Sequence, residues 1–241
     1  MTSFPRYAIY FAAGSDSAVS RFGAELLGYD AYTGNELPFP AEASHLAPDW
    51  RDITADPRKY GFHGTLKAPM ALAPGKTEAE LLAACATFAS EARMIPVIRP
   101  IVDAISGFIA IIPAEPVGAL QELAADCVRA FDGFRTALTA EDRARRRPEK
   151  LSERQRDYLD RWGYPYVMDE FRFHMTLTGR LDAERRGPIL EMLRTRFAAL
   201  KLDALTVDRI TLFKQDDARA RFRIIGEWAL ARMDLSASLP D

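Results

Sequence analysis

The chain has 241 residues, 48% of them hydrophobic, with two cysteines, three histidines and a net charge of −2. That is enough apolar material for one large core or two modest lobes, and it leaves no compositional sign of disorder. The near-neutral charge argues against a long footprint on duplex nucleic acid, and Cys85 and Cys127, both in Ala/Leu-rich stretches, read as buried free thiols rather than a disulfide or zinc framework. In chain order, 7–11 reads as a strand closed by a turn at 14–17, and 18–27 as a helix ending at Gly28. The stretch 33–58 holds Gly34, Pro38, Pro40, Pro48 and Pro57, so a long surface loop is expected. A strand over 60–72, a helix over 77–94 opened by Thr77, strands at 97–102 and 107–112, and a helix over 116–131 follow. After a charged stretch at 139–161 the pattern repeats, with a strand holding His174, a helix over 183–200, and strands near 205–213 and 222–230. The apolar run at 7–13 is too short to cross a bilayer, so a cytoplasmic protein with no membrane partner is expected.

Two of the three histidines sit in one repeated phrase, His63-Gly64-Thr65-Leu66 and His174-Met175-Thr176-Leu177. In a strand, residues two apart share a face. His63, Thr65 and Lys67 then face one side and Phe62, Gly64 and Leu66 the other. In the second copy Arg172, His174, Thr176 and Thr178 oppose Phe173, Met175 and Leu177. Side by side, the two strands would converge two imidazoles and two hydroxyls on one cleft. One imidazole can take a proton from an attacking oxygen while the other gives one to the leaving oxygen, and the hydroxyls can hold the phosphate oxygens as charge builds. A phosphodiester, above all a strained cyclic one, suits these groups, and no metal or other cofactor is needed.

A lone strand histidine is more often structural than catalytic; the matched pair is what favours chemistry. His45 has no such partner and is given no role. The stretch 139–161 carries eight basic and six acidic residues, among them Arg143, Arg145, Arg146 and Arg147. A solvated helical insertion is favoured there over a phosphate-binding arm, although its position makes it a candidate lid. Tyr60, Lys67, Arg172 and Lys214 are further candidates for substrate binding. Each has a structural alternative: Tyr60 as a strand cap, Arg172 in a pair with Glu170 or Asp169, Lys214 as a solvated strand end.

At these motifs the chain resembles the two-histidine (2H) phosphoesterase superfamily. The stretches 6–11, 60–69, 162–167 and 170–179 resemble its bacterial branch found in phosphonate-metabolism operons. The resemblance implies an α+β fold of two pseudo-symmetric lobes, each an antiparallel sheet with outer helices, around a central cleft. Here that means one bilobal domain, with lobe one roughly 1–135, the insertion roughly 139–161 and lobe two roughly 163–241. It also implies His63 and His174 as the catalytic pair, Thr65 and Thr176 as phosphate-binding hydroxyls, and cyclic phosphodiesterase chemistry on a 2′,3′-cyclic nucleotide end or a small ribose cyclic phosphate. A non-catalytic phosphate or RNA-end binding protein, or a ligase using the same cleft, are the alternatives.

Overall fold

The computed structural model of the protein describes residues 3–233; 234–241, the end of the expected second lobe, lies outside them. Strand β1 (Arg6–Phe11) leads into helix α1 (Ala18–Leu27). Ser17 caps the helix by accepting from the Ser20 amide, and Gly28 closes it in the left-handed conformation. The expected loop at 33–58 is corrected: it carries three short helices, α2 (Ala41–Leu46), α3 (Trp50–Ile53) and α4 (Ala55–Tyr60). Buried anchors explain them. The Trp50 indole donates to the Leu26 carbonyl at 2.8 Å and Arg58 Nε to the Leu27 carbonyl at 2.6 Å, so the segment folds back on the end of α1. Pro40 and Pro57 fall at or within first turns, where no intrahelical N–H is lost.

Then come β2 (Gly64–Ala71), α5 (Glu78–Ser90), β3 (Val97–Ile98), β4 (Pro100–Ile105), β5 (Phe108–Pro113) and α6 (Gly118–Phe131). Thr77 and Glu80 close a capping box at the start of α5. The insertion holds α7 (Ala140–Arg145) and α8 (Glu153–Trp162). The last described elements are β6 (Met175–Thr176), α9 (Ala183–Ala198), β7 (Leu205–Thr206), β8 (Arg209–Gln215) and β9 (Arg223–Ala229). The strand expected over 60–72 begins only at Gly64, because Tyr60 ends α4.

The fold is α+β. Among the described residues seven strands form one antiparallel sheet in the order β4-β5-β6-β2-β1-β8-β9. Its two halves meet where β6 borders β2, and each runs outward through a second strand (β5 or β1) to a third (β4 or β8). The halves are pseudo-symmetric but are not the halves of the sequence. Hairpin β4–β5 follows the first motif and joins the second motif's strand, while β8–β9 follows the second motif and joins β1. The two crossing chains touch as the pair β3–β7, with Val97 opposite Thr206 and Ile98 opposite Leu205. The division expected near 135–163 is therefore a division of the chain and not of the sheet.

Helices α1, α5, α6 and α9 cover one face and bury Leu26, Leu81, Cys127 and Leu193 with Ile9, Leu66, Met175 and Leu212 from the strands. Both cysteines are free and buried. On the other face a smaller cluster of Ala8, Tyr10, Tyr29, Phe213 and Phe222 lies beside the motifs. Among the described residues no helix is long and apolar enough to cross a membrane.

Candidate active site

The two motifs meet at one antiparallel pair, Gly64 opposite Met175. Extending that register by one residue each way sets His63 opposite Thr176 and Thr65 opposite His174. Residues opposite each other in an antiparallel pair point to the same side, so all four functional groups share one face. The other face at this point is core: Met175 is fully buried, and the Phe173 ring lies where a side chain on Gly64 would go, 2.5 Å from an ideal Cβ.

Each imidazole is held in the same way. His63 Nδ1 donates to the Gly61 carbonyl at 2.9 Å, and His174 Nδ1 donates to the Arg172 carbonyl at 2.8 Å. A carbonyl only accepts, so Nδ1 carries the hydrogen in both rings and Nε2 is left to the cleft. Thr65 Oγ1 lies 3.3 Å from His63 Nε2. Gly61 reaches its position with φ +73°, and an added Cβ there would stand 2.7 Å from Ala31 Cβ.

The surroundings differ. His63 stacks on Tyr10 with ring centroids 3.8 Å apart and 18° between planes, and Tyr60 and Phe213 stand about it at 6.2 and 6.0 Å. Among the described residues His174 has one aromatic contact, a tilted one with Phe108 at 5.5 Å, and it opens on a cavity of 430 Å³ that Thr65, Arg172, Tyr164, Glu170 and Arg180 also line. Burial pushes the His63 pKa down from 6.5 to about 4, against the pull of the Gly61 carbonyl and with help from the nearby His174 charge. Burial also lowers His174, opposed by its bond to the Arg172 carbonyl.

Of the four weaker candidates, two lie elsewhere. Regular alternation puts Lys67 beside Thr65, but β2 is bulged: Thr65 faces Tyr10, while the next paired residue, Lys67, faces Ile9. The extra residue turns Lys67 into the core, where Nζ donates to the Val128 carbonyl at 3.0 Å and pairs with Asp132 at 3.1 Å. Lys214 points to the helix-covered face and pairs with Glu78 at 2.7 Å. Tyr60 stays near the site, its ring stacked on Phe222 at 5.2 Å. Arg172 lines the His174 cavity. Thr178 is buried too, accepting from the Ile109 amide at 3.1 Å and donating to the Gly179 carbonyl.

Sequence reasoning missed Tyr10, Tyr164, Arg180 and Phe108. The alternation of β1 puts Tyr10 on a face with Ala8 and Ala12, which could have marked it, but only the pairing of β1 with β2 brings it under His63. Among the described residues no group of three or more His, Cys, Asp or Glu side chains is placed to hold a metal ion.

A family model described as "Protein of unknown function (DUF1045)" matches residues 65–223, a span that runs from the first motif's threonine through the second motif to β9. The chain belongs to the DUF1045 family. Two curated relatives share a name. "Ribose 1,5-bisphosphate phosphokinase PhnN" of Janthinobacterium sp. (strain Marseille) is 37% identical over 224 residues, which cover 86% of this chain and 48% of the relative. The protein of that name from Laribacter hongkongensis (strain HLHK9) is 34% identical over 220 residues, covering 91% and 50%. The chain thus spans about half the length of the curated relatives it matches. Solved structures similar to it include E. coli LigT in apo form (16% identity, TM-score 0.39) and with 3′-AMP (13%, 0.45), and one described as a phosphoesterase (17%, 0.39). Each of these covers 95% of this chain and 100% of its own. At those scores the likeness carries no argument about the site, so the two-histidine character rests on the chain's own paired motifs.

Proposed function

We propose that this protein is a cyclic phosphodiesterase that opens a small ribose cyclic phosphate by paired-histidine acid–base catalysis, with no metal required. The observation that carries this is the register Gly64 opposite Met175, which supports a shared cleft for both imidazoles and both hydroxyls. His63, neutral at working pH because burial depresses its pKa, takes the proton of an attacking water through Nε2. His174 is the group more readily protonated, since its charge is one of the causes that hold His63 down, and the charge of a bound phosphate opposes the lowering that burial imposes on it. As the new P–O bond forms, the ring P–O bond breaks and His174 Nε2–H protonates the departing ribose oxygen. A phosphomonoester on the neighbouring carbon is left. Thr65 and Thr176 donate to the non-bridging oxygens, where the transition state gathers charge.

The relatives' name contains ribose and two phosphates, which favours a ribose phosphate over an RNA end; the 2′,3′-cyclic nucleotide remains the second substrate to try. The test is hydrolysis in EDTA of a panel of ribose and 2′,3′-cyclic phosphates by the wild type, His63→Ala and His174→Ala. Each substitution is expected to lower turnover roughly 10²–10⁴-fold with the fold intact by circular dichroism. Equal hydrolysis by all three proteins would overturn the proposal, and binding without product in every case would leave a phosphate-binding protein.

A further inference from the structure

A second cavity, of 280 Å³, lies beside the His63 end of the cleft, lined by Arg6, Tyr60, Arg135, Arg145, Arg146 and Asp142 among others. Two of its arginines are already committed. Arg135 pairs with Asp132 at 2.9 Å and also donates to the Arg161 carbonyl, and Arg145 pairs with Asp142. The other two are not neutralised: among the described residues no carboxylate lies within ion-pair distance of Arg6 or Arg146. Arg6 Nε donates at 2.9 Å to the side-chain oxygen of Gln215, a neutral and fully buried partner that fixes the guanidinium without cancelling its charge. Arg146 rests over the ring of Tyr164 at 5.0 Å. Tyr164 also lines the His174 cavity, and Tyr60 stands between this second cavity and His63. Little more than two tyrosine side chains therefore separates the arginines from the reacting groups.

We propose that Arg6 and Arg146 form a second anion subsite, which holds a phosphomonoester at the non-reacting end of a small sugar cyclic phosphate. The proposal rests on the phosphodiesterase reading for the reacting end, but the subsite itself stands on the cavity and its two uncompensated guanidiniums. Guanidinium is the side chain best suited to a phosphate, since its planar fork offers paired donors and stays charged. The small volume suits a single phosphate group. It also gives the insertion a task other than that of a solvated surface helix, because Arg146, an exposed side chain directly after α7, lies over the Tyr164 ring at the rim of this cavity.

Calorimetric binding of ribose 5-phosphate tests this without any need for turnover. Four proteins are compared: wild type, Arg146→Ala, Arg146→Lys, and the double variant His63→Ala/His174→Ala. Arg146→Ala is expected to weaken binding about tenfold or more, Arg146→Lys to recover part of that loss, and the double variant to stay within about twofold of wild type, since a charge-assisted contact is lost in the first case only. Binding that disappears in the double variant, or that Arg146→Ala leaves unchanged, overturns the subsite, as does no binding to wild type at millimolar ligand. Tighter binding of the dinucleoside monophosphate ApA with the same Arg146 dependence also overturns it, in favour of an RNA phosphate. If no cyclic phosphate is hydrolysed, the proposed function fails, while the calorimetry still decides the subsite.

Discussion

The surroundings of His63 and His174 are two copies of one device with different walls. In both, Nδ1 is tied to the carbonyl two residues back, a threonine follows two residues on, and a phenylalanine one residue back is buried on the other face. Aligned through the strand pairings, Tyr10 opposite Thr65 corresponds to Ala110 opposite Thr176. That one difference puts a full aromatic ring against His63 and leaves His174 facing a cavity. Shared geometry makes both groups available to a phosphate; unequal burial separates their proton affinities and so their roles.

The comparison breaks most visibly if the two histidines are challenged with an activated ester. On a p-nitrophenyl phosphodiester the leaving group needs little protonation, so the loss in His174→Ala should shrink to about tenfold or less, while His63→Ala keeps its roughly 10²–10⁴-fold deficit. Steady-state turnover on that ester and on a cyclic phosphate measures the split. The reverse pattern would exchange the roles of base and acid.

The pH dependence sharpens it. With His63 as base near pH 4 and His174 as acid below 6.5, kcat/KM should form a bell between those limits, because it reports the free enzyme. The basic limb of kcat should lie higher, since a bound phosphate favours protonated His174. Stability should follow the same groups. Both folded pKa values are depressed, so the unfolded chain binds more protons from pH 6.5 down to about 4. The contribution is complete above 6.5 and is lost as pH falls through that window. Urea unfolding of His63→Ala should accordingly show a flatter acid slope than wild type.

How much of this was legible in the chain depended on the range of the interaction. The helix at 18–27, the start of the next at its Thr77 cap and the His-x-Thr alternation are local, set by caps and by the two-residue period, and they are where the sequence puts them, although the helix expected over 77–94 stops at Ser90. The helices around Trp50, the inward turn of Lys67 and the stack of Tyr10 on His63 depend on residues distant in sequence. A one-residue bulge reverses a side chain without leaving any mark in the hydrophobic pattern. The crossing of the two hairpins is hidden for the same reason: strand spacing reports that a hairpin exists, but not which half it joins.

Tyr10→Ala makes the two halves alike at this position. The stack is lost, His63 gains water, and its pKa should move up toward that of His174, raising the acid limb of kcat/KM. Turnover should fall about tenfold with a smaller change in KM, since the ring positions the imidazole and does not touch the phosphate. Tyr10→Phe should keep the wild-type profile, and failure of that rescue would assign the effect to the hydroxyl.

Gly64→Ala probes the seam itself. The new Cβ would meet the Phe173 ring at 2.5 Å, so Phe173 must move within the core beside Phe11. Overpacking of this kind costs about 1–3 kcal/mol, which thermal melting would register as a drop of several degrees. Because Gly64 also sets the register against Met175, turnover should fall as well. A normal melting temperature would mean that the two strands pair more loosely than Gly64 opposite Met175 implies.

The smallest effect separates the two bulges. Ile109 receives both the Leu177 and Thr178 amides at its carbonyl, much as Ile9 faces the bulge at Leu66 and Lys67, so Lys67 and Thr178 hold equivalent buried positions. Thr178 satisfies backbone groups on both sides, and Thr178→Val would strand the Ile109 amide at a cost of about 1–3 kcal/mol. Lys67→Met removes a charge whose partner, Asp132, keeps Arg135 at 2.9 Å, so no carboxylate is left unpaired. Replacing a buried ion with an apolar group of similar length is then close to neutral, about 1 kcal/mol either way. Turnover and KM of Lys67→Met should match wild type within about twofold, because Nζ is spent on the end of α6 and never reaches the phosphate. A tenfold rise in KM would instead put Lys67 at the substrate and contradict the bulge that turns it away.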